Sequence, residues 1–209
     1  MRGKKGVVLI LAGLVLIAAA FALHRRNTGQ AEEAAAFVQE MTPQIAEAIA
    51  ERQEAPETAQ PQFIIDQGPD PNRPMPIETI GGHDYIGLLI IPSLELELPI
   101  MSTWSYPKLR MAPCRYSGSL YLDDLVLMAH NYDRHFGRIK DLRPGDSVFF
   151  TDMDGETVEF EVVATEILHP AAVEEMTAGE FDLTLFTCTY GGKSRVTLRC
   201  DRVEVKPYE

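Results

Sequence analysis

Tyr85-Ile86-Gly87-Leu88-Leu89-Ile90-Ile91, closed by Pro92 and followed by Leu94-Glu95-Leu96-Glu97-Leu98, sets the fold class. The first stretch is a continuous apolar run of strand length. The second alternates apolar and acidic residues with a period of two, the pattern of a half-buried strand. More segments of the same kind follow. Leu125–Ala129 is a short apolar run, and Ser147–Thr151 and Thr157–Thr165 flank Asp154-Gly155, a hairpin turn signal. Leu183–Thr187 and Arg195–Val205 complete the set. Helical signal is limited to about two turns near Phe136–Leu142 and a short piece near Ala172–Met176. Many short strands joined by turns predict a mainly β domain, a sandwich or closed barrel of about eight strands. No internal repeat is present.

Upstream of Gly82 the composition changes twice. Gly6–Leu23 carries no charged side chain and is long enough to cross a bilayer as a helix. Arg2, Lys4 and Lys5 precede it, and His24, Arg25 and Arg26 follow, before Glu32 and Glu33. The balance predicts a single-pass anchor at residues 1–26, with the N-terminus inside and the remainder outside the cell. Ala20-Phe21-Ala22 is an alternative cleavage site for a signal peptide, but the apolar run is longer than such peptides need. Residues 27–80 read as a stalk and linker. Phe37, Met41, Ile45 and Ile49 recur every fourth residue, which predicts an amphipathic helix interrupted near Pro43. Ala55–Pro76 is rich in proline, glutamine and acids, the composition of an extended linker. The reading favoured for both pieces is an inert spacer. Residues 81–209 are then the folded domain.

The chain has 209 residues with 31 acidic and 19 basic side chains, a net charge of −12. That excludes a basic nucleic-acid footprint. Three cysteines, Cys114, Cys188 and Cys200, leave at least one thiol unpaired, and a Cys114–Cys200 disulfide stays open. They form no CxxC pair, which argues against a redox protein and against zinc.

Cys188 ends an apolar run before the polar, Gly-rich Thr189–Lys193; His130 ends another; Arg195 opens the last strand. A nucleophile, an acid/base and an oxyanion donor are the parts acyl transfer needs. Taken one at a time, each residue has a plain structural reading as a core or surface side chain.

Together, several motifs resemble those of the sortases. Thr184-Leu185-Phe186-Thr187-Cys188 resembles the family's TLxTC signature, and Arg195 stands at the distance of its active-site arginine. Ala129-His130-Asn131 with Phe136-Gly137 and Leu142 resembles its histidine segment. Tyr85-Ile86-Gly87 with Ile90-Ile91-Pro92 resembles its first strand. The resemblance covers Asp84–Val205 and implies an eight-stranded β-barrel with short helices. It implies a cysteine transpeptidase that cuts an LPxTG-like motif of a secreted protein. The acyl group then passes to an amine on a cell-wall precursor or a pilin lysine. Cys188, His130 and Arg195 are the expected catalytic residues. Thr187, Asn131, Ala171 and Val173 are the expected substrate contacts, the last two in the Leu168–Asp182 connection. No cofactor is expected, although Glu174, Glu175 and Glu180, or Asp152 and Asp154, are oxygen donors of the kind Ca²⁺ takes. The motifs look closest to class B, with class D as the alternative. A pilin-type lid is not evident, since Asp70-Pro71 is followed by Asn72 and not by an aromatic residue. A hydrolytic cysteine peptidase and a non-catalytic motif-binding module remain as rivals.

Overall fold

The computed structural model describes residues 2–54 and 72–203, with side chains from residue 6 onward. Most of the Pro-rich linker, with Asp70 and Pro71, lies outside the described residues, as does the segment after Val203.

Nine strands are described: β1 (Glu78–Ile80), β2 (His83–Ile91), β3 (Leu96–Met101), β4 (Cys114–Ser117), β5 (Leu125–Ala129), β6 (Ser147–Asp152), β7 (Thr157–Leu168), β8 (Leu183–Cys188) and β9 (Arg195–Arg202). Their order is β1-β2-β3-β4-β5-β8-β9-β7-β6, and β6 pairs back onto β2. Eight strands therefore close into a barrel, and β1 is a short hairpin arm on β2. Closure removes the exposed sheet edge that an open sheet of this size would present. Inside are the alternate residues of each strand, among them Leu89, Ile91, Leu98, Phe150, Phe160 and Leu185, all essentially inaccessible.

The hairpin at Asp154-Gly155 and the strands β5, β8 and β9 fall where the sequence placed them, although β9 ends at Arg202. Leu94 does not join a strand. Pro92–Leu94 forms a 3-10 turn and Glu95 sits in the left-handed region, so β3 begins only at Leu96. The Phe136–Leu142 helix is reduced to a 3-10 turn at Ile139–Asp141. Gly87 explains how β2 can pair on both sides. Its φ is +149°, and an added Cβ would lie 2.0 Å from the Thr151 carbonyl oxygen on β6. Gly87→Ala is expected to lower stability by about 2–3 kcal/mol, read as a shift in the denaturation midpoint.

The N-terminal half departs most from expectation. One continuous helix, α1 (Arg2–Glu54), joins the apolar segment to the stalk. Pro43 does not interrupt it. Pro43 and Gln39, whose carbonyl loses its usual partner, are both exposed, so water can satisfy that group. The stalk is also no inert spacer. Ala34, Val38, Met41, Ile45 and Ile49 are buried, the last three in a second cluster with Tyr85, Leu88 and Met101 on the outer face of β2 and β3. Polar contacts finish the docking. Arg52 Nε pairs with Asp154 Oδ1 at 2.8 Å, and Gln53 Nε2 donates to the Gly155 carbonyl at 3.0 Å.

All three cysteines are free. Cys114 packs in the cluster under α1 and Cys200 inside the barrel, so no Cys114–Cys200 disulfide exists.

Candidate active site

Strands β5 and β8 run parallel, with Ala129 opposite Thr187. The residue that follows each, His130 and Cys188, therefore emerges at the same end of the barrel. On the other side of β8, Cys188 is the register partner of Arg195 on β9. Three adjacent strands thus carry His130, Cys188 and Arg195 side by side along one rim, although the first two are far apart in sequence. The three line one cleft of about 250 Å³.

Cys188 is half-buried. Beyond it, Thr189–Ser194 closes a tight turn in which Gly191 and Gly192 both take positive φ. Arg195 Nη1 donates to the carbonyls of Gly192 and Ser194, each at 3.3 Å. Those long bonds pin the guanidinium beside the cleft and leave its remaining donors for a substrate oxygen. Burial, followed by the positive charge of Arg110, lowers the His130 pKa below 6.5. At neutral pH its imidazole is therefore mostly uncharged. Tyr132 packs against it with ring centroids 5.0 Å apart. Behind Tyr132 lies His135, fully buried, with the Met111 backbone as its one polar neighbour of consequence among the described residues. Burial is the main cause that lowers its pKa to about 4.

Arg110→Gln removes the second of the two causes acting on His130. Its titration is expected to rise, but to stay below that of a free imidazole, because burial, the larger cause, remains. Imidazole NMR reads this directly, and an unchanged or lower value would refute the electrostatic account. The sign carries over to stability. A histidine with a lowered folded pKa binds fewer protons folded than unfolded, so stability falls as pH drops below 6.5. Arg110→Gln should make that fall shallower.

The remaining expected site residues divide. Thr187 lines the cleft, yet its hydroxyl donates to the Ala129 carbonyl at 2.8 Å, so it ties β8 to β5 beneath the nucleophile. Two short helices border the cleft: α2 (Tyr106–Leu109) contributes Tyr106 and Leu109, and α3 (Val173–Met176) contributes Val173, together with Pro170 and Ala172 ahead of it. Ala171 is exposed and points elsewhere in that connection, and its amide donates to His169 Nδ1. Asn131 is exposed and does not line the cleft.

Sequence reading missed an aromatic wall of the cleft, which packs with Met176 of α3. Trp104 stacks on Tyr116 with centroids 6.0 Å apart, and Tyr116 meets Phe186 edge-on at 5.3 Å. Trp104 follows β3 and Tyr116 lies on β4, which no periodic signal had marked. Trp104 is the chain's one tryptophan and is 42% exposed, a hint that composition alone held. Also missed was Arg199, which is 5% exposed. It donates to Glu166 Oε2 at 2.9 Å, Thr184 Oγ1 at 3.0 Å, and the carbonyls of Glu175 at 2.7 Å and Met176 at 3.4 Å. It therefore fastens α3, the roof of the cleft, to the barrel wall.

The acidic residues weighed for calcium are otherwise engaged or dispersed. Asp152 Oδ1 accepts from the amides of Asp154 and Glu156, and its Oδ2 accepts from Tyr121. Glu174, Glu175 and Glu180 line a shallow groove with Arg199 and Glu166. Among the described residues no group of three or more acids, histidines or cysteines is placed to hold a metal.

Comparison with known proteins agrees with this geometry. The sortase domain family matches residues 89–203. Sortase C1 from Streptococcus suis is 26% identical, with a TM-score of 0.51 over 59% of this chain and 75% of that one. Sortase C1 from Streptococcus agalactiae is 25% identical, with a TM-score of 0.50 over 58% and 69%. A sortase D5 transpeptidase from Clostridium perfringens, 18% identical, shares the fold with a TM-score of 0.52 over 61% and 83%. No curated protein matches the chain. With the family match spanning more than half its length, the chain belongs to the sortase family of cysteine transpeptidases.

Proposed function

We propose that the chain is a single-pass membrane enzyme whose Cys188 cuts an LPxTG-like sorting motif of an exported protein and passes the acyl group to an amine. The single observation that supports this best is the juxtaposition of His130, Cys188 and Arg195 on three neighbouring strands around one cleft. Neutral His130 takes the proton of the Cys188 thiol, and the thiolate attacks the scissile carbonyl carbon. Arg195 donates to the carbonyl oxygen as negative charge develops there. The C–N bond then breaks, and the imidazolium returns its proton to the leaving amine. In the second half, an incoming amine attacks the thioester and gives a proton to His130, the Cys188 thiolate leaves, and the imidazolium returns that proton to it. Atoms and charge balance over the cycle, and the peptide bond broken is matched by one formed.

The character of the cleft supports the motif class. Apart from the three reacting residues and Thr187, its wall is apolar or aromatic and carries no carboxylate or amide side chain. That suits a Leu-Pro pair better than a polar first residue such as asparagine, for which the apolar wall offers only the hydroxyls of Tyr106 and Tyr116. Helix α1 begins with an apolar stretch long enough to span a bilayer. With the charge distribution, it supports a domain held outside the cell. The acceptor is a cell-wall precursor amine, with a pilin lysine as the second reading. The two sortase C1 similarities, 26% and 25% identical, keep that second reading open.

Mass spectrometry of the enzyme with LPxTG-like and NPxTx-like peptides, with and without triglycine, tests the proposal. An LPxTG-derived product joined to triglycine, absent for Cys188→Ala, is the expected result. Hydrolysed product alone, even at high triglycine, would make the protein a peptidase. Turnover by Cys188→Ala would end the mechanism.

A further inference from the structure

The direction of α1 along the barrel places the cleft relative to the membrane. Strand β7 pairs with β9 so that Leu168 faces Arg195 and Phe160 faces Arg202. The catalytic rim is therefore where β7 ends. The hairpin at residues 153–156, from which β7 departs, is at the opposite end. Helix α1 reaches both ends. Near its C-terminus, Arg52 and Gln53 bond to Asp154 and Gly155 of the far hairpin. About five turns earlier it reaches the histidine loop. Ala35, Val38 and Gln39 share a groove with Arg134, four residues after His130, and Glu33 acts electrostatically on Tyr132.

Since α1 leaves its apolar segment at Leu23 and continues without a break, the residues that reach the rim are those nearer the apolar segment. At 1.5 Å per residue, Glu33 lies about 15 Å beyond Leu23, and Arg52 roughly 28 Å further out. We infer that α1 is a rigid spacer that holds the catalytic rim toward the membrane, about 15 Å beyond the bilayer's apolar core. A polypeptide tethered to the same membrane must then carry its scissile bond across that distance to enter the cleft. This rests on the reading of residues 6–23 as a membrane span. An extended chain covers 3.3–3.6 Å per residue, so a tether of about four or five residues reaches the cleft and a shorter one does not.

Two measurements on the full chain, reconstituted in phosphatidylcholine–phosphatidylglycerol vesicles, test this. The first is independent of catalysis. A donor dye is placed at Asn131→Cys or at Thr157→Cys in a Cys188→Ala background, with an acceptor dye on lipid headgroups. Energy transfer is expected to be several-fold stronger from position 131. Equal transfer, or more from position 157, would overturn the inference. In the second, seven helix-forming residues are inserted after Thr28, which raises the rim by about 10 Å while nearly preserving its facing. Turnover of a vesicle-anchored LPxTG-like peptide with a five-residue tether is expected to fall at least tenfold. Three added tether residues should restore it, with turnover of a soluble peptide unchanged within twofold. Undiminished turnover of the short-tethered peptide would also overturn it. If the parent enzyme cuts no soluble peptide, the proposed function fails, while energy transfer still reports where the rim lies.

Discussion

A chain that begins at residue 72, without α1, is expected to melt more than 10 °C below one that begins at residue 30, or to be recovered only as aggregate. Residues 30–54 contribute more than a tether. Val38, Met41, Ile45 and Ile49 are each at most 8% exposed in the folded chain. Burial of such side chains is worth about 1.5–3 kcal/mol apiece, a sum of roughly 6–12 kcal/mol before the cost of ordering the helix. A domain of this size has only about 5–15 kcal/mol of net stability. Truncation would also bare Tyr85, Leu88 and Met101 as one apolar patch on β2 and β3, the kind of surface that drives association. Calorimetry of the two truncations gives the comparison. Midpoints within about 2 °C of each other would show that the docked helix contributes nothing. The cluster under α1 also includes Leu109 and Met128, which line the cleft. The shorter chain should therefore lose peptide turnover even under conditions where it stays folded.

Arg199→Ala is expected to cost about 1–3 kcal/mol of stability and to lower kcat/KM at least tenfold. The buried guanidinium neutralises Glu166 and satisfies two carbonyls at the end of α3 together with Thr184. Without it, the carbonyls of Glu175 and Met176 lose their donor, and Met176 loses the tie that holds it over the cleft. The loss should appear mostly in KM, because the roof binds the peptide, whereas His130, Cys188 and Arg195 are placed by the β5–β8–β9 pairing that the substitution leaves intact. Arg199→Lys keeps the charge but not the fork and should recover only part of each effect. An Arg199→Ala enzyme with unaltered KM would show that α3 is held by other means.

By itself the sequence singled out the three residues that meet at the cleft, His130, Cys188 and Arg195, and, through its family motifs, the barrel class. Those properties are local. A strand's period of two, a turn at Asp154-Gly155 and a cysteine motif ending at Cys188 are each complete within a few neighbouring residues. The strands it failed to reveal, β1 and β4, are three and four residues long and too short to show a period. Leu94 misled because period two describes side chains, whereas the backbone turns at Pro92 before the strand begins. Tertiary structure alone decided the rest. The aromatic wall joins Trp104, Tyr116 and Phe186 from three separate segments. Arg199 looks like any residue of an exposed strand until α3 folds over it. The stalk carries an apolar stripe that sequence could detect but could not assign, because a stripe shows that a helix docks and not what it docks against. Burial against β2 and β3 is a long-range contact. It turns a spacer into part of the domain and fixes which end of the barrel lies nearer the apolar N-terminal segment.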